Sequence, residues 1–162
     1  MSARFSRSLL IVAVVLVLGA VNWSIFAKER IKTNGERIFL ALAPVDPRSL
    51  MQGDYMALRF EIADRIDSKE SGSAPLLVDD KGVATLNPDP NAGGLRIRYR
   101  LRNGLVWLGT NAYFFEEGAA ERYTGARFGE FRIDRASGEA VLVGLRDADL
   151  KQMGKLPSVQ GR

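Results

Sequence analysis

Histidine and cysteine are both absent from the 162 residues. A triad or general base built on histidine is therefore excluded, and so are disulfides and zinc sites of the usual Cys/His kind. Three other sets of residues could do chemistry. Ser49 with a lysine base would make a Ser/Lys hydrolase, but no lysine lies near it in sequence. Lys69 or Lys81 would have to reach it through the fold. Asp46, Asp54 and Glu61 offer carboxylates to a hard cation, although their spacing does not follow a calcium loop. Arg96, Arg98, Arg100 and Arg102 alternate along one stretch, with Trp107 shortly after. That row suits recognition of an anionic partner or anionic lipid headgroups rather than bond-making. These patterns lead us to expect no catalytic residue, no metal ligand and no cofactor.

The elements that position the arginines are legible. Leu95 to Phe115 reads as a hairpin, with Asn103-Gly104 as the favoured pair for a type I′ turn. Leu95, Ile97, Tyr99 and Leu101 then share the apolar face and the four arginines share the other. A two-residue turn places Arg102 opposite Leu105 and Arg100 opposite Trp107, so the indole can stack under an arginine. The plain alternative is a solvated outer face whose long arginine stems cover the indole.

The candidate cation and nucleophile residues sit around a second stretch, Asp46 to Phe60. Asp46-Pro47 opens a turn, and Gly53-Asp54 marks a bend before a strand over Asp54 to Ala63. Met56, Leu58, Phe60 and Ile62 point one way, against Tyr55, Ala57, Arg59 and Glu61. Gly53-Asp54-Tyr55-Met56-Ala57-Leu58-Arg59-Phe60, with its lead-in Pro44 to Gln52 (including Asp46, Pro47 and Arg48), resembles the signature of the GDYXXLXY family. Ala126 to Asp134 and Ser137 to Leu145 resemble it too. The resemblance implies a bacterial membrane-anchored protein of uncharacterised function. It also implies a gene often set beside those of multi-span membrane proteins. The last motif position is usually Tyr and is Phe60 here, so packing is its simpler role.

Ser8 to Phe26 carries no charged side chain and is long enough to span a bilayer as a helix. Trp23 near its end is a common headgroup-level anchor. Its length favours a retained anchor over a cleaved signal peptide, and Ile25-Phe26-Ala27 is a poor cleavage site. The flanking charges are ambiguous: Arg4 and Arg7 precede it, and Lys28, Arg30 and Lys32 follow. The plan of an export signal favours the N-terminus inside. We expect a single-pass protein of the cytoplasmic (inner) membrane, with the domain in the periplasm or outside. From Lys28 onward 21 basic residues face 19 acidic ones, too weak a bias for nucleic acid.

The remaining chain reads as strands Arg37 to Ala43, Pro75 to Val78, Val83 to Leu86, Phe128 to Asp134 and Ala140 to Arg146. Loops cover Asp64 to Ala74 and Asn87 to Gly94. Glu116 to Tyr123 is an acidic loop or short helix, and Asp147 to Met153 one or two helical turns. The expected architecture is mainly β: one transmembrane helix, then a small antiparallel β-sandwich or barrel-like domain. Its divisions are 1–34 (tail, anchor, juxtamembrane turn), 35–153 (extracytoplasmic domain) and 154–162 (tail). Three functions fit: an interaction or accessory module for a membrane-protein partner, a membrane-tethered Ser/Lys hydrolase, or a small-ligand or cation sensor held in a small barrel.

Overall fold

The computed structural model describes residues 3–43, 51–52 and 55–154. Asp46, Pro47, Arg48, Ser49, Gly53 and Asp54 lie outside the described residues, as does the tail expected beyond Gly154.

Helix α1 (Ala3–Asn34) opens the chain with 32 residues, about 48 Å at 1.5 Å per residue. Its apolar side chains from Leu10 to Phe26 are exposed, Leu16 at 67% and Phe26 at 64%. Leu10–Asn34 is long and apolar enough to cross a membrane. The helix stops at Asn34, with Gly35 just past its end, as helix-ending pairs of this kind do. The Gly35 N–H donates to the Ile31 carbonyl at 2.7 Å, and a Cβ at Gly35 would lie 2.4 Å from that same oxygen.

The rest is mainly β. In chain order come β1 (Glu36–Ala41), β2 (Met51–Gln52), β3 (Tyr55–Ala57), the short helix α2 (Glu61–Arg65), β4 (Gly72–Val78) and β5 (Ala84–Leu86). Then follow β6 (Arg96–Arg102), β7 (Leu105–Trp107), β8 (Ala112–Phe114), a 3-10 turn (Ala120–Tyr123), β9 (Phe128–Ile133) and β10 (Ala140–Arg146). They form three antiparallel sheets of order β1-β9-β10, β2-β3-β8 and β5-β4-β6-β7.

Backbone bonds stitch the sheets into a barrel-like body. The Phe39 N–H donates to the Gly82 carbonyl at 2.9 Å, joining β1 to the β4–β5 turn. The Arg98 N–H donates to the Gly138 carbonyl at 2.7 Å, joining β6 to the β9–β10 turn. The Leu58 N–H donates to the Asn111 carbonyl, extending the β3–β8 ladder, and the Ala43 N–H donates to the Arg59 carbonyl, tying the second sheet to the rest. Ile38, Leu40, Phe60, Ile97, Leu108, Phe131, Ile133 and Leu145 fill the shared interior. Burial of such side chains is the main favourable term, at roughly 25 cal/mol per Å² of apolar surface.

Four expectations need correction. The motif strand ends at Ala57 rather than Ala63. Its partner β8 is only three residues long, so the ladder runs out and the chain turns into α2. Facing survives this change: Met56, Leu58, Phe60 and Ile62 are all buried. The loop Asp64 to Ala74 instead contains the end of α2 and the start of β4. The long hairpin arm breaks after Trp107, and its continuation β8 belongs to a different sheet. Finally, Asp147 to Met153 is not helical. The Asp147 carboxylate accepts the Asp149 and Lys151 N–H groups at 2.9 and 2.8 Å, a local alternative to helix.

Candidate functional site

The described part of the signature stretch builds core. Phe60 lies edge-to-face with Phe131, ring centroids 5.2 Å apart. A Cβ on Gly129 would come within 2.8 Å of the Phe60 ring. Only glycine leaves room there, so the two stretches that carry the family resemblance meet across the interior. Arg59 points outward and pairs with Asp64 at 2.9 Å. Tyr55, half-buried, holds its ring 5.7 Å from that of exposed Phe114.

A second constellation lies on the opposite face of the β1-β9-β10 sheet. Glu130 is 5% exposed and accepts from Arg146 Nε at 2.7 Å, with the second nitrogen Nη2 also bonded. The Arg146 and Arg37 guanidiniums lie 5.9 and 5.6 Å from the Phe39 ring centroid. A β-bulge between Leu142 and Gly144 makes this possible. It shifts side-chain parity, so Leu145 enters the core and Arg146 turns to the Glu130 face. Reading the strands alone misses the pair, because nothing local in Phe128 to Asp134 or Ala140 to Arg146 announces the shift.

The arginine ribbon is where the sequence puts it. Arg102 opposes Leu105 and Arg100 opposes Trp107. Both turn residues have positive φ, 51° at Asn103 and 75° at Gly104, as a type I′ turn needs. The stacking partner is the diagonal neighbour Arg102, whose guanidinium lies 5.3 Å from the Trp107 ring. Ile97 and Tyr99 are buried, and Arg98, Arg100 and Arg102 are exposed. Arg96 stands apart: it donates to Ser73 Oγ, to the Ser73 carbonyl and to the Pro90 carbonyl, and so fastens the loop before β6. Arg98, Arg100, Arg102 and Trp107 line a groove of about 280 Å³ together with Lys28, Gly109, Glu139 and Ala140. Lys28 comes from α1, one residue past Ala27, and pairs with Glu139. Sequence reasoning could not bring Lys28 here, since its contact depends on how α1 meets the β9–β10 turn.

The other candidates are not brought together among the described residues. Lys69 and Lys81 are exposed in separate turns. Glu61 sits half-buried in the first turn of α2, beside Arg65 and the β5 backbone. No group of three acidic side chains is gathered among the described residues.

Among the described residues, two ionisable groups are displaced from their ordinary ranges. Burial pushes the Tyr113 hydroxyl up to about 12, aided by neighbouring Tyr123. The Ser137 backbone N–H and hydroxyl, bonded to Asp134, hold its carboxyl below the usual range, with Arg30 on α1 assisting. Both shifts belong to packing and a turn.

A family model described as "GDYXXLXY protein" matches residues 17–145, most of the chain. No curated protein and no solved structure matches it.

Proposed function

The chain belongs to the GDYXXLXY family, and we propose that it is a non-enzymatic accessory module that docks on a membrane-protein neighbour. In this reading α1 is a retained single-pass anchor in the inner membrane. The β-domain stands in the periplasm or outside.

One observation carries the reading: the anchor is locked to the domain. α1 runs into β1 with only Gly35 between them. Arg132 Nη1 donates to the Gly35 carbonyl at 3.3 Å. Lys28 pairs with Glu139, and Ile31 is buried. A loose tether would serve a domain that only samples the surrounding solution. A fixed joint is needed where the orientation of the domain over the bilayer matters, as it does for docking on a neighbour in the same membrane.

Inserting a flexible Gly-Ser linker after Gly35 tests this. The expected outcome is a folded, membrane-held protein that no longer co-isolates its membrane partner in mild detergent and no longer maintains that partner's abundance. Unchanged co-isolation and abundance would refute the reading.

A further inference from the structure

We infer that the groove between the arginine ribbon and the base of α1 holds the phosphate of an anionic lipid headgroup. The inference rests on the anchor reading above.

Charge comes first. Lys28, Arg98, Arg100 and Arg102 face one carboxylate, Glu139. That carboxylate is already paired with Lys28. No ion pair reaches Arg98, Arg100 or Arg102 among the described residues. Trp107, in the same wall, stacks against Arg102, and its buried indole N–H has no acceptor among the described residues. The groove is thus rich in donors and short of acceptors, and guanidinium forks match an oxyanion with several oxygens.

Position comes second. Lys28 follows the apolar run by a single residue, Ala27. At 1.5 Å of rise per residue it stands about 3 Å beyond Phe26 along the helix axis. The groove that Lys28 lines therefore opens at the depth where lipid phosphates lie. An anionic leaflet surface attracts such a basic cluster, with a gain of roughly fivefold in affinity per arginine. An acidic protein segment would also satisfy the charge. A segment of a docked neighbour would meet the groove only while that neighbour is bound, whereas lipid is always there.

The full-length protein in neutral detergent, titrated with lipid and followed by native mass spectrometry, tests the assignment. Phosphatidylglycerol should bind, and phosphatidylcholine should bind at least tenfold more weakly, since its choline is repelled by the cluster. Replacing Arg98, Arg100 and Arg102 together by Gln should weaken phosphatidylglycerol binding on the order of a hundredfold. The corresponding Lys variants should recover part of it, since they keep the charge and lose the fork. Melting of each variant checks the fold, and Arg100→Gln alone should cost roughly fivefold. Equal affinity for the two lipids, or Gln variants that melt normally and bind as before, would overturn the inference. So would displacement of the lipid by an equal concentration of inorganic phosphate, which would make a free anion the ligand. A lost lipid preference with linker-sensitive partner recovery intact would remove this inference alone and leave the docking reading standing.

Discussion

Arg146 and the arginines of β6 have the same side chain and opposite circumstances. Arg146 is mostly buried, bonded twice to Glu130, and rests against Phe39. Arg98 and Arg100 are exposed and have no ion-pair partner among the described residues. A guanidinium buried against its own carboxylate is part of the scaffold. One with its donors turned to solvent beside the base of α1 is available to a ligand. Burial and partner count separate the two roles where residue type cannot.

The sharpest way to break this contrast is at Glu130. Glu130→Ala leaves Arg146 buried without its counter-charge and should cost about 3 kcal/mol, read from denaturant unfolding. Glu130→Leu combined with Arg146→Met should recover most of that loss, because a well-packed apolar pair avoids the desolvation penalty. A Glu130→Ala protein as stable as the parent would place Arg146 with the free arginines. The triple Gln change in β6 should cost no more than about 1 kcal/mol, most of it from the lost Arg102–Trp107 stacking. The smallest effect is expected at Asp134. Its lowered pKa means the bonded carboxylate adds stability above the ordinary value of 3.8, and that stability is lost as pH falls through the lower folded value. Asp134→Asn should therefore flatten the fall in melting temperature on the acid side and leave the neutral range nearly level.

Legibility followed locality. The β6–β7 register could be read because Asn103-Gly104 sets it within two residues. The buried set Met56, Leu58, Phe60 and Ile62 could be read from alternation alone. The end of β3 could not, because it depends on the length of β8 some 55 residues later. The Glu130–Arg146 pair depends on a bulge, and the Lys28 contact on a joint between distant elements. Asp46, Gly53 and Asp54 are the part of the signature whose chemistry the described residues do not reach.

The rigid joint underlies both the docking reading and the headgroup groove. Because the chain has no cysteine, Ser24→Cys and Asp80→Cys give one spin label on α1 and one on the β4–β5 turn, both at exposed positions. In lipid nanodiscs, double electron–electron resonance between them should return a single narrow distance distribution, broadened by the Gly-Ser linker after Gly35. A broad distribution in the unmodified chain would contradict the joint.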